Sequence, residues 1–352
     1  MTGGIYVHFP YCEHRCTYCD FVIATPRVIP QKRFTDAVLS ELRFRAEALD
    51  GPAHTLYLGG GTPSLWDPKE LKRLINAVKS TPGLVEGAEV TLEANPNEVT
   101  DARLVLLREL GVNRISLGVQ SFQNDLLTTI ERTHDGQTAE HACNAIKEAG
   151  FPSHSIDLIF GLPGQDLSRW REDLEKAITL RPPHLSVYGL TVEANTVLEH
   201  HVSKGLITLP DEGLQTEMML SARKALRAEG YIHYEVSSYA LEGHRAKHNS
   251  AYWRGTPYLG LGPGAHAFLP PIRSVNIART SVYIQAALDG DPTESIEELD
   301  TATMSFERIM TGLRDLELGV DVSPDWRRYE DALKRQVALG NLTLSGRRAT
   351  LT

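Results

Sequence analysis

The chain has 352 residues, 41% hydrophobic and 23% charged, the balance of an ordinary soluble globular protein of about two domains. Its formal net charge is −9 and its pI about 5.8, which argues against a general nucleic-acid-binding role, because that role needs a basic face. No run of about 18 apolar residues is present and Met1-Thr2-Gly3-Gly4 leads straight into a strand pattern, so neither a membrane span nor a signal peptide is expected.

The first predicted strand, Ile5–Phe9, runs into a loop with three of the four cysteines, Cys12, Cys16 and Cys19, spaced C-x3-C-x2-C. Three thiolates on one short loop can converge on one metal centre. An iron–sulfur cube takes one ligand per iron, so three cysteines leave one iron open. That iron suits a chelating amine and carboxylate, as in S-adenosylmethionine. The same spacing also admits a zinc loop borrowing His8 or His14, or a disulfide framework. Clustered cysteines suit a reducing cytoplasm. Cys143 lies in the helical pattern Thr138–Ala149 and reads as a small buried apolar residue.

From Ile5 to about residue 190 short β-rich runs alternate with amphipathic helices. Further strands are predicted at Thr55–Leu58, Glu89–Glu93, Arg114–Gly118, Ser155–Phe160 and His184–Leu190. Helices are predicted at Lys32–Leu49, Pro68–Ser80, Asp101–Leu110, Thr138–Ala149 and Ser168–Leu180. Asp67 before Pro68, and Thr100 or Asp101, are N-cap signals, while Gly111 and Gly150 are helix stops. Such alternation predicts parallel strands with right-handed crossovers, and six units predict an α/β fold of the open, partial (β/α)6 TIM-like barrel kind. Chemistry in such barrels sits at the C-terminal strand ends. Those ends carry Gly59-Gly60-Gly61-Thr62-Pro63, then Glu93, Gln120 with Arg132 downstream, Asp157, and Leu190-Thr191. Glycines admit close backbone approach, a carboxylate can accept from ribose hydroxyls or an ammonium, and an arginine can clamp a carboxylate. Taken together, these groups fit one zwitterionic nucleoside ligand.

Beyond residue 195 the pattern changes. Asp211–Glu229 reads as a long helix ending at Gly230, and Tyr231–Tyr239 as a strand. The glycine run from Tyr258 to Phe268 reads equally as an anion cradle or a tight loop. Helices at Thr303–Leu316 and Asp325–Leu339 and a hairpin at Leu342–Leu351 form a small C-terminal piece whose last element is expected to be incomplete. The expected domains are 1–195, an α+β extension at 196–295, and a helical, winged-helix-like domain at 296–352.

C-x3-C-x2-C after a first strand, with Tyr18 before the last cysteine, resembles the radical S-adenosylmethionine superfamily. Tyr6-Val7-His8-Phe9-Pro10-Tyr11-Cys12 resembles its coproporphyrinogen-oxidase-like branch. Cys19-Asp20-Phe21 and His248-Asn249-Ser250-Ala251-Tyr252-Trp253, an HNxxYW signature, resemble the HemW-type haem chaperones. The resemblance implies a 4Fe–4S cluster on Cys12, Cys16 and Cys19. It implies S-adenosylmethionine held by Tyr6, Gly60, Gly61, Thr62, Glu93, Gln120, Arg132 and Asp157, with a backbone contact at Thr191. It implies haem with His248 as axial ligand, a haem-acceptor protein, an electron donor for the cluster, and membrane contact only through the acceptor. No general acid or base is implied. The alternative is an oxygen-independent coproporphyrinogen III oxidase. Against it, Phe21 stands where the oxidases carry a fourth cysteine, and few residues precede the first strand where they carry an extension. Radical modification of a nucleic acid is disfavoured by the acidic charge. The expected compartment is the cytoplasm.

Overall fold

The computed structural model describes residues 3–352. Six strands pair side by side and parallel: β1 (Gly4–Phe9), β2 (Ala53–Gly60), β3 (Leu84–Ala94), β4 (Arg114–Gln120), β5 (Ser153–Phe160) and β6 (His184–Gly189). The crossovers carry α1 (Gln31–Arg45), α2 (Pro68–Val78), α3 (Asp101–Leu110), the short α4 (Asn124–Thr129), α5 (Gly136–Glu148) and α6 (Leu167–Leu180). Side chains alternate across a strand. Ile115, Leu117 and Val119 of β4 therefore enter the main core with the helices, while Arg114, Ser116, Gly118 and Gln120 line a cavity on the other face. The caps follow their signals. Asp67 accepts from the backbone N–H of Lys69 and Glu70, Thr100 rather than Asp101 accepts from Arg103, and Gly111 ends α3 at φ 93°.

After β6 come α7 (Val197–Ser203), α8 (Glu212–Ala228), β7 (Ile232–Glu235), β8 (Ser238–Ala240) and α9 (Lys247–Trp253). Then follow β9 (Tyr258–Leu261), β10 (His266–Leu269), β11 (Ile272–Asn276), α10 (Thr280–Asp289) and β12 (Thr293–Glu298). These strands extend both edges of the barrel sheet. β8 pairs antiparallel with β6, and β9 pairs parallel with β1. The sheet has 12 strands in the order β12-β11-β10-β9-β1-β2-β3-β4-β5-β6-β8-β7, so its two edge strands lie at opposite ends of the row. The open partial barrel is thus its parallel heart. The boundary expected at residue 295 falls inside β12. Tyr231–Tyr239 is a hairpin rather than one strand, because the chain turns at Val236-Ser237.

The glycine run is a tight turn between β9 and β10, with Gly262 at φ 102° and Gly264 at φ 66°. The Gly262 N–H is already spent on the buried Glu41 carboxylate at 2.9 Å. That carboxylate also accepts from Asn276 (2.7 Å) and Tyr283 (2.6 Å). The C-terminal piece is α11 (Thr301–Gly312), β13 (Val320–Asp321), α12 (Trp326–Ala338), β14 (Leu342–Ser345) and β15 (Arg348–Leu351). Its three strands, ordered β13-β15-β14, close a separate small core of Ile309, Val320, Val322, Leu333, Leu342 and Ala349. Among the described residues no helix is long and apolar enough to cross a membrane.

Candidate functional site

The cysteine loop is pinned to the end of β2 by backbone bonds. Gly61 N–H donates to the Phe9 carbonyl (2.7 Å) and Thr62 N–H to that of Tyr11 (2.8 Å). The loop closes on itself where Cys12 N–H meets the Ala24 carbonyl at 3.1 Å. Glycine is required here by space. A Cβ on Gly61 would lie 2.8 Å from the Tyr11 carbonyl oxygen, and Gly60 sits at φ 113° with its Cβ position 2.6 Å from the His8 ring.

The loop delivers all three thiols to the wall of one cavity of about 430 Å³. Hydrogen-bond donors already aim at two of the sulfurs: Thr62 Oγ1 at Cys12 Sγ (3.3 Å) and Arg132 Nη1 at Cys16 Sγ (3.6 Å). Donors pointed at sulfur suit thiolate ligands. Among the described residues no three His, Cys, Asp or Glu side chains come together as a single-ion site. A cube takes one thiolate per iron and accepts thiolates spread wider than one zinc ion tolerates. Cys143 lies apart, buried in α5.

Gly60, Gly61, Thr62, Glu93, Gln120, Arg132 and Asp157 all line this cavity, brought together from the ends of β2 to β5. Glu93 accepts from Tyr57 Oη (2.7 Å) and Gly60 N–H (2.9 Å), and burial pushes its carboxyl up to about 7. Asp157 accepts from the hydroxyls of Ser116 and Ser155, each at 2.9 Å, and burial raises it too. Arg132 Nη2 donates to Asn95 Oδ1 and the Gly118 carbonyl, both at 2.7 Å, and its Nε is buried without a partner among the described residues. Gln120 adopts φ 67°, where the β4–β5 register shifts. A non-glycine residue held there is backbone strain at a functional edge.

Three expected residues lie elsewhere. Tyr6 donates to His8 Nδ1 or accepts from it at 2.9 Å, and lines a second cavity of about 350 Å³. Phe21, Gly60 and Glu93 border both cavities, and the Phe21 ring is 59% exposed at that rim. Thr191 is exposed beyond β6 and does not line the first cavity. His248 does not fit the role of axial ligand. It is buried, its Nδ1 meets Thr55 Oγ1 at 2.7 Å and its Nε2 meets Tyr252 Oη at 2.8 Å, so neither nitrogen is left for iron. Burial pushes it down to about 3, so it stays neutral. Sequence reading missed Tyr57, Asn95, Arg114, Ser116 and Asn249 of the first cavity. Arg114 and Ser116 had a signal in the two-residue period of β4, four and two places before Gly118.

The profile of the radical SAM superfamily matches residues 6–177. The chain is 38% identical over 316 residues to the heme chaperone HemW of Lactococcus lactis, covering 89% of this chain and 81% of that protein. It is 36% identical over 318 residues to the heme chaperone HemW of Escherichia coli, with 89% and 83% covered. It is 35% identical over 345 residues to the mouse mitochondrial radical S-adenosyl methionine domain-containing protein 1, with 94% and 77% covered. Among solved structures it is similar to coproporphyrinogen III oxidase (HemN) from Escherichia coli, with a TM-score of 0.83 and 22% identity over 99% of this chain and 86% of that one. At that identity the likeness is one of fold.

Proposed function

Because this chain belongs to the HemW family of the radical SAM superfamily, we propose that it is a haem chaperone, binding haem and passing it to an acceptor protein. The observation that carries this reading is the match along nearly the whole chain to relatives named heme chaperones. Superfamily membership implies a 4Fe–4S cluster and S-adenosylmethionine. Cys12, Cys16 and Cys19 would hold the cluster, and an external electron donor would reduce it. When bound, the cluster supplies an electron to the sulfonium of S-adenosylmethionine, chemistry that belongs to the cofactors.

The chain's own side chains position. Thr62 and Arg132 orient the thiols of Cys12 and Cys16. Gly60 and Gly61 let the ligand's amino-acid end approach the backbone, Glu93 and Asp157 accept from its N–H and hydroxyl groups, and Arg132 takes its carboxylate. Gln120 completes the proposed set, from which Tyr6 and Thr191, which do not line this cavity, drop out. Arg132→Ala is expected to weaken S-adenosylmethionine binding by about 1.5–3 kcal/mol, or some ten- to 150-fold, with the cluster still formed. Calorimetric titration of cluster-loaded protein measures this, and an unchanged affinity removes Arg132 from the site.

The second reading, coproporphyrinogen III oxidase, has the fold likeness to HemN in its favour. Against it, Phe21 occupies the position of the oxidases' fourth cysteine, and its ring walls both cavities. Haem titration followed by absorbance, beside anaerobic incubation with coproporphyrinogen III, S-adenosylmethionine and reductant, separates the two. A shifted Soret band with no divinyl product is expected. Multiple turnovers to protoporphyrinogen IX overturn the chaperone reading.

A further inference from the structure

At the end of the first cavity away from the cysteine loop, only Ser116 serves the S-adenosylmethionine set, through its bond to Asp157. Its wall there includes Arg114, Ser116, Ser186, Tyr188 and Asn249. Arg114 and Gly118 lie on the same face of β4, and four residues of parallel strand span about 13 Å. The Gly118 carbonyl holds Arg132, so one cavity has a guanidinium at each end.

Arg114 is only 3% exposed, yet it forms no ion pair among the described residues. Its Nη1 donates to Ser153 Oγ at 3.0 Å and to the His244 carbonyl at the limit of 3.5 Å. A guanidinium has five N–H donors, so most of its capacity is unspent. The acid sharing this part of the cavity, Asp157, accepts from two serine hydroxyls and makes no direct ion pair with Arg114 among the described residues, although the Arg114 charge favours its ionised form. Burial and the Arg114 charge hold His154 down to about 4 and push His184 well below its ordinary range, so these histidines add no charge. A buried guanidinium that makes no direct ion pair has room for an anion to complete it.

The HNxxYW stretch supplies the second half. His248 is locked to Thr55 and Tyr252 and its ring stacks on Tyr57 with centroids 5.0 Å apart, which fixes α9 against β2. The next residue, Asn249, is half-buried, lines the cavity, and makes no side-chain hydrogen bond among the described residues. His248 positions and Asn249 presents.

We propose that Arg114 and Asn249 form a carboxylate subsite at the end of the cavity away from the cysteines, and that it takes a propionate side chain of the tetrapyrrole. This rests on the haem reading. A guanidinium can grip both carboxylate oxygens, and the asparagine amide adds a third donor.

The test compares haem with haem dimethyl ester, whose propionates carry no charge, in cluster-loaded protein titrated by absorbance. The unsubstituted protein is expected to bind haem about tenfold or more tightly than the diester, as loss of a charge-assisted bond implies. Arg114→Gln and Asn249→Leu should each remove most of that preference by weakening haem alone. Asn249→Leu keeps the proposal testable if Arg114→Gln fails to fold, because the Asn249 side chain makes no hydrogen bond among the described residues. S-adenosylmethionine affinity should be unchanged in Asn249→Leu, the variant that carries this control because the Arg114 charge also acts on Asp157. Equal affinity for haem and diester in the unsubstituted protein overturns the subsite while leaving the haem reading intact. A matching loss of S-adenosylmethionine affinity in Asn249→Leu overturns it in favour of that ligand's own carboxylate. No haem binding at all overturns both readings together.

Discussion

Anaerobic reconstitution is expected to load about four irons and four sulfides per chain, and alanine at Cys12, Cys16 or Cys19 is expected to abolish that loading. Cys143→Ala should leave it intact. The three loop thiols share one cavity wall, whereas Cys143 is 3% exposed in α5 among Ala139, Ala142 and Ile146. Removing one of three ligands leaves two irons of a cube without protein support, so the effect is near all-or-none. Loading also depends on protons. Burial pushes the Cys12 thiol up to about 11 and raises Cys19, so without iron both stay protonated at neutral pH. Iron must expel those protons, and assembly should therefore quicken as pH rises. Metal and sulfide analysis with the visible spectrum reads all four variants. Tightly bound zinc without sulfide in the unsubstituted protein would replace the cluster by the zinc-loop reading.

What the sequence made legible follows physical range. Strand periodicity, caps and glycine stops are local, and they located β1 to β6 and the ends of α2 and α3. The cysteine spacing is also local. Contacts across distant segments are not. His248 looked like a ligand because its motif is unusual, but Thr55, far earlier in the chain, takes one nitrogen and Tyr252 the other. The glycine run looked open to an anion until Glu41 of α1 reached the Gly262 N–H. Tyr6 lies on the right strand, yet its hydroxyl turns to His8 and the neighbouring cavity. The short α4 was missed because six residues carry little periodic signal, although α4 leads the chain to Arg132. Likewise no local pattern says that the extension continues the barrel sheet at both edges, since strand pairing is long-range.

Glu93 should make S-adenosylmethionine binding depend on pH, with the sign set by its environment. Burial is the largest cause lifting its carboxyl from an ordinary 4.5 to about 7, and the neighbouring Asp157 charge adds to it. The hydrogen bonds from Tyr57 and Gly60 favour the ionised form and only partly offset this. A protonated carboxyl offers a donor of its own, whereas the ionised form only accepts. Binding the ligand's N–H and hydroxyl donors therefore selects the ionised protein. Below pH 7 the competent fraction falls about tenfold per unit, and apparent affinity falls with it. Affinity should thus rise with pH up to about 7 and then level off. Glu93→Gln keeps the shape but cannot ionise. Its affinity at about pH 8 should be lower by about 1.5–3 kcal/mol, the worth of a charge-assisted bond. At about pH 5.5 the two proteins should converge, because the native carboxylate has by then lost most of its ionised population. The ligand's own titration is common to both proteins and cancels in their ratio. Calorimetric titration of cluster-loaded protein across that range measures the ratio directly. A ratio independent of pH would mean that Glu93 binds the ligand in one protonation state throughout, or does not touch it.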